Sequence, residues 1–300
     1  MLEVFIIRDE CSDGDRRLAW QKPIDDLISV RQSEYPAYRE AVETYEQSTS
    51  QINKLDHPKW YIVDTGFGSI GLEELGLFGN NTVLLLSPPV DEMEIVDWRK
   101  ALVNDPAISS KIRSHAPGVF APAFLELKRI LSEEMLGRLE SIELSSPEYG
   151  LASGIGPRRV LSLLDAIVWL SLPPRKVEPL DELPVLKISR ASIGRVDCVF
   201  GKVRLRLKHA ERPSGICVCR NGVVSFGGDG WTGPGEFSVS PNDGYSNMAA
   251  LPEGSGFYYG VRDCLESVSD GRESRILPPT LHLKIRTKAL QLYSDLRGVS

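Results

Sequence analysis

Four residues in one short stretch have the types and spacing to hold a phosphate. Gly66, Gly68 and Gly71 satisfy G-x-G-x-x-G, with Ser69 between the last two. They follow the apolar run Trp60-Tyr61-Ile62-Val63 and precede a short helical pattern, Leu72 to Phe78. A strand-turn-helix of this composition lets the backbone approach a phosphate with no Cβ in the way. The helix start adds free amides and the positive end of the dipole. Asp64 ends the strand, where a carboxylate would stand beside a reacting centre. The chemistry implied is an enzyme that binds a phosphate-bearing substrate or a nucleotide-type cofactor. The next apolar run, Thr82 to Leu86, ends in Ser87-Pro88 instead of an acid suited to a ribose hydroxyl, and Asp91 and Glu92 come late for that role. A purely structural turn is the competing reading.

A second group is aromatic. Trp231, Tyr245, Tyr258 and Tyr259 are set among Gly, Asn and Asp in the last third of the chain. Aromatics on adaptable polar loops suit recognition of another protein, whereas aromatics in a β-rich region also serve simply as its core. The four histidines (His57, His115, His209 and His282) fall in no triad-like spacing, so no complete catalytic set is assembled. The favoured expectation is therefore a non-catalytic recognition or accessory protein that binds a protein partner through these aromatics. The phosphate-site enzyme stands second and nucleic-acid binding third, and whether the chain is an enzyme is left open.

Smaller motifs carry the other expectations. Ile62-Val63-Asp64-Thr65-Gly66 resembles the Asp-Thr-Gly site of retroviral-type aspartic proteases. That resemblance implies two carboxylates sharing a proton in a dimer of small β-barrels, whereas the residues that follow here read as mainly helical. Gly154-Ile155-Gly156 with Arg158 and Arg159 resembles the hairpin of helix-hairpin-helix DNA-binding motifs. It implies amides and cations on a nucleic-acid phosphate; a helix start with Pro157 at its first position explains the same residues more plainly. Cys217-x-Cys219, with Cys198 and His209 upstream, is spaced more tightly than a zinc pair, so no metal is expected and the thiols read as buried. Glu126-Leu127-Lys128, with Asp105 upstream, has the E-x-K form of nuclease sites but lies in a helical pattern.

The elements that must position these groups read as α/β and then β. Leu2 to Ile7, Trp60 to Val63 and Thr82 to Leu86 are apolar runs of strand length, separated by helical patterns. They predict a partly parallel sheet flanked by helices. Helices are expected from Ile24 to about Ile52, from Asp91 to Val103, and at about 121–143 and 157–172. Four prolines between Leu172 and Pro184 suggest a connector at 173–183, dividing an acidic α/β domain, 1–172, from a β-rich, mainly antiparallel domain, 184–300. In that second part Val203 to Lys208 alternates strictly, Asn221-Gly222 marks a hairpin, Gly256 to Val261 reads as a strand, and Leu281 to Leu296 as a strand and closing helix.

Charge is divided unevenly. Residues 1–175 carry 18 Lys and Arg against 27 Asp and Glu, and residues 176–300 carry 17 against 14. An acidic first half argues against nonspecific attraction to a phosphate backbone. No apolar stretch is long enough for a transmembrane helix and no secretory leader pattern opens the chain, so no membrane partner is expected. Five irregularly spaced cysteines point to a reducing compartment, and the expected location is the cytoplasm.

Overall fold

The computed structural model describes residues 3–8, 42–45, 59–64, 82–85, 92–104, 112–146, 157–172, 186–192, 195–200, 202–211, 214–227, 236–252, 256–270 and 272–297. The chain forms two compact units. The first comprises Met1–Ala116 with Phe257–Thr287, the second Pro117–Gly256 with Lys288–Ser300.

The first unit is built on a five-stranded sheet: β1 (Glu3–Arg8), β2 (Val42–Tyr45), β3 (Lys59–Asp64), β4 (Thr82–Leu85) and β5 (Ile112–Ser114). Their order across the sheet is β2-β1-β3-β4-β5, and every pairing is parallel. Strands such as VFII, YIV and VLL are near-continuous apolar runs, as parallel strands covered on both faces require. Helix α1 (Glu92–Asn104) follows β4 and buries Ile95, Trp98 and Leu102. The edge of the Trp98 ring meets His282, their centroids 5.2 Å apart. His282 lies on the last helix of the chain. Residues 42–45 had read as helix, but their V-E-T-Y sequence pairs in register with β1, Val4 against Val42 through Ile7 against Tyr45.

The second unit carries helices α2 (Pro122–Ser132) and α3 (Pro157–Ser171) and an eight-stranded sheet. Its strands are β6 (Leu139–Ser146), β7 (Leu186–Ser192), β8 (Arg195–Phe200), β9 (Val203–His209), β10 (Ser214–Cys219), β11 (Gly222–Gly227), β12 (Glu236–Pro241) and β13 (Asn247–Ala250). The order is β13-β12-β11-β10-β6-β9-β8-β7, antiparallel except for the pair β6 and β9. The helix expected over 121–143 stops early. Glu134 and Gly137 adopt positive φ, 55° and 69°, which turns the chain out of the helix and into β6. With β6 at its centre, this sheet joins strands from both sides of the Pro-rich stretch at 173–183. The units part at Ala116, Gly256 and Thr287 instead.

Two further elements differ from expectation. Gly256–Ser269 is helix α4, not a strand, and Pro279–Arg297 is one helix, α5. The predicted β9 alternation does occur: Leu205 and Leu207 are buried, while Arg206 on the opposite face bonds Asp197 at 2.6 Å and Glu143 at 3.0 Å. On the inner face the edge of Phe124 from α2 meets Phe226, which stacks on Phe237. Gly215 is the strand partner of Phe226, and a Cβ there would lie only 2.0 Å from Cζ of the Phe226 ring. Gly215→Val is therefore expected to lower unfolding stability by about 1–3 kcal/mol in chemical denaturation, the usual cost of overfilling a packed core. Among the described residues no helix is long and apolar enough to cross a membrane.

Candidate functional site

In an open parallel sheet, ligands lie outside the carboxyl ends of the strands, where the strand order reverses direction. Among the described strands the first unit has one such point. From β1 the chain moves to β2 on one flank, and β3 then returns to the other flank of β1. The registers place Tyr45, Ile7, Val63, Leu85 and Ser114 in one row across the sheet near its carboxyl edge. Arg8 and Asp64 are directly registered one residue beyond that row, on the two strands that bound the switch. An arginine and an aspartate position therefore stand in register at the carboxyl ends of the two strands that bound the switch. Asp64 had been singled out in the sequence. Arg8 had not, because only the pairing of β1 with β3 reveals its position.

The Gly66, Gly68, Ser69 and Gly71 turn lies outside the described residues, and so do Asp105, Trp231 and the turn at Gly154 to Gly156. Gly66 follows two residues after Asp64, the last residue of β3.

At the far flank of the sheet β5 carries buried polar groups that sequence spacing did not indicate. Arg113 is buried; its Nε donates to Ser267 Oγ at 3.1 Å and its Nη2 to the Arg272 carbonyl at 3.0 Å. Burial pulls its guanidinium below the ordinary range, while Cys264, Glu273 and Asp263 pull the other way. His115, directly after β5, is 0% exposed. On α4, burial raises the Asp263 carboxyl above its usual range, against the Ser274 hydroxyl that bonds it and the nearby Arg272. Its Oδ2 is buried with no hydrogen-bond partner among the described residues. A carboxyl with a raised folded-state pKa contributes most below its unfolded value near 3.9, and the contribution is lost as pH rises through the folded value. Asp263→Asn is thus expected to raise the melting temperature at neutral pH and to flatten the fall in stability above about pH 4. An unchanged pH profile would contradict this account. These contacts tie β5 to α4 and the 272–277 segment, and serve the fold.

Other candidates resolve into structure. Tyr258 and Tyr259 lie on α4, not on a loop, with ring centroids 5.2 Å apart. Tyr245 is 93% exposed, in the turn between β12 and β13. The aromatics thus belong to a helix of one unit and a hairpin of the other. Pro157 does open α3, with Arg158 and Arg159 in its first turn. Cys217 and Cys219 are buried on β10, and burial raises both thiols, Cys219 to about 11. Among the described residues no group of three His, Cys, Asp or Glu could hold a metal. Glu126 and Lys128 sit on α2 and diverge. Glu126 pairs with Arg129 at 2.7 Å, while Lys128 Nζ donates to the Trp169 and Leu172 carbonyls at the end of α3, each at 2.8 Å. Burial brings that ammonium down to about 8. An E-x-K nuclease site would need both groups on one face.

No protein-family model and no curated protein matches the sequence. Solved structures do match, over essentially the whole chain. An aldose-aldose oxidoreductase from Caulobacter crescentus, complexed with glycerol, is 12% identical with a TM-score of 0.67, covering 100% of this chain and 99% of that one. An oxidoreductase from Agrobacterium radiobacter, in complex with NAD+, L-tartaric acid and magnesium, is 10% identical with a TM-score of 0.65, covering 100% and 97%. A 3-ketoreductase from Actinomadura kijaniata, in complex with NADP and TDP-benzene, is 14% identical with a TM-score of 0.63, covering 99% and 97%. At these identities the likeness is one of fold. It overturns the expectation of a non-catalytic recognition protein acting through aromatic loops, because the whole chain has the architecture of oxidoreductases that bind nicotinamide dinucleotides.

Proposed function

We propose that this chain is an oxidoreductase that binds a nicotinamide dinucleotide at the carboxyl edge of its parallel sheet, between β1 and β3. The observation that carries the reading is the all-parallel order β2-β1-β3-β4-β5, which creates a switch point with Arg8 and Asp64 in register beside it. The donor set fits the group on two counts. Arg8 would offer charge to a diphosphate, and the Gly66-x-Gly68-x-x-Gly71 sequence that follows β3 would offer backbone amides. In one respect it departs from the usual dinucleotide fold, where the glycine fingerprint follows β1. Here β1 is followed by Asp9-Glu10-Cys11-Ser12-Asp13-Gly14-Asp15, with one glycine, so the phosphate-holding turn is assigned to β3.

When bound, the nicotinamide supplies hydride acceptance or donation. Asp64 is the chain's candidate for taking the proton of a substrate hydroxyl, a task for which a carboxylate must reach hydrogen-bond distance of that oxygen. Glycerol and tartaric acid in the similar structures favour a small, hydroxylated substrate. A ligand that binds only the folded chain raises its melting temperature, by about 2.7 kcal/mol of stabilisation at a hundredfold excess over Kd. NAD+ or NADH is expected to produce such a shift. A melting curve unmoved by either nucleotide at millimolar concentration contradicts the reading.

A further inference from the structure

Helix α1 has two apolar stripes, and only one of them is buried in the first unit. Ile95, Trp98 and Leu102, three and four residues apart, form the buried stripe. On the opposite side Met93 is 78% exposed, Val96 47% and Val103 64%. These are three of the seven large apolar side chains exposed among the described residues, and they share one 13-residue helix. Single exposed apolar residues need no account, whereas a contiguous stripe marks a contact surface.

The stripe has an internal order. Met93, Val96, Lys100 and Val103 are separated by steps of three, four and three residues, so all lie on one side of the helix. That spacing is the same in both directions along the chain. An antiparallel copy of α1 centred at position 98 sets Met93 against Val103 of the second copy. It sets Val96 against Lys100 of the second copy, whose four-carbon stem is apolar. A two-fold axis requires this property, because a contact between i and j must recur between j and i. A partner of different sequence has no need of a stripe that is alike from both ends.

Charge agrees with the spacing. One border of the stripe holds Asp97, which accepts from Lys100 at 3.0 Å, with both side chains about half exposed (49% and 53%). The other border holds Glu92 and Arg99, both exposed. In an antiparallel two-fold pair each border meets its own copy reversed. A border of one sign would repel itself; each of these presents an acid and a base. Asp97 can therefore pair with Lys100 of the second copy as well as with its own.

We propose that this face of α1 docks a second copy of the chain, the two helices packing antiparallel across a two-fold axis. A contact along one 13-residue helix, about 20 Å long, lies at the small end of specific interfaces. The dimer is accordingly concentration-dependent, with a dissociation constant on the order of micromolar or weaker. Sedimentation velocity of the full chain over a concentration series tests it, and the mass is expected to rise with concentration. Met93→Glu and Val103→Glu each enter the contact twice and are expected to weaken association by about tenfold or more. The melting temperature should stay unchanged, since both positions are exposed. Mild oxidation tests the register. Met93→Cys combined with Val103→Cys should give a disulfide-linked dimer. Met93→Cys alone should link no more than the unaltered chain, because its copy lies about 15 Å away along the axis. A chain that is monomeric at every concentration, or an association that both glutamate variants leave unchanged, overturns the proposal. Linking in the double cysteine variant no greater than in the single one overturns it as well.

Discussion

Phe124→Ala is expected to lower unfolding stability by about 3–5 kcal/mol, the cost of emptying a fully buried aromatic site. Phe124 is buried on the inner face of α2, and its ring meets Phe226 edge-on with centroids 5.6 Å apart. Phe226 in turn stacks on Phe237 at 6.5 Å and covers the backbone of Gly215. Removing the first ring takes away the edge contact on Phe226, whose strand is held by ladder bonds to β10 and β12 on its two flanks. Such a site relaxes little, which places the cost toward the upper part of the range. Denaturant titration measures it directly. Met248→Ala is the contrast: Met248 is exposed on the edge strand β13, so its removal should stay within about 0.5 kcal/mol. Similar losses for the two substitutions would mean that α2 does not anchor the eight-stranded sheet as described.

Gly68→Trp is expected to weaken dinucleotide binding by about a hundredfold, or ~2.7 kcal/mol, while leaving the melting temperature of the free chain nearly unchanged. The argument is steric and electrostatic together. A diphosphate held by main-chain amides must approach the backbone closely, and any side chain at the second glycine of G-x-G-x-x-G occupies that space. Asp64→Asn separates binding from chemistry at the same place. It keeps the size of the side chain and its capacity for hydrogen bonds, so affinity for the dinucleotide should change little. Turnover should fall by about 10²–10⁴, the usual contribution of a general base. Loss of affinity in Asp64→Asn with turnover per bound molecule preserved would place Asp64 on the cofactor instead.

The parts of the fold written in local pattern were legible from the sequence. The apolar runs of β1, β3 and β4, the buried helix α3 beginning at Pro157, and the alternation of Val203 to Lys208 all depend on neighbours in the chain. The parts set by distant partners were not. Val42 and Tyr45 fit a helical spacing, and only pairing with β1 makes them a strand. Leu139 to Ser146 became the centre of the large sheet because its neighbours are β9 and β10, more than fifty residues on. Gly256 to Val261 has aromatic, β-favouring composition and is nonetheless helical, an override of weak propensity by tertiary context. The carboxyl edge shows the same division. The end of β3 at Asp64 was legible because its apolar run is contiguous, whereas the position of Arg8 opposite it carries no local signal and comes only from register across a parallel pair. The five-strand order of the sheet is likewise invisible in any window of sequence.

A structure of the chain grown with NADH tests the central claim most directly. The diphosphate should lie beyond the carboxyl ends of β1 and β3, within contact of the Gly66–Gly71 turn and on the side of the sheet edge marked by Arg8 and Asp64. A dinucleotide found at the amino edge of that sheet, or held by the eight-stranded unit alone, would contradict the account.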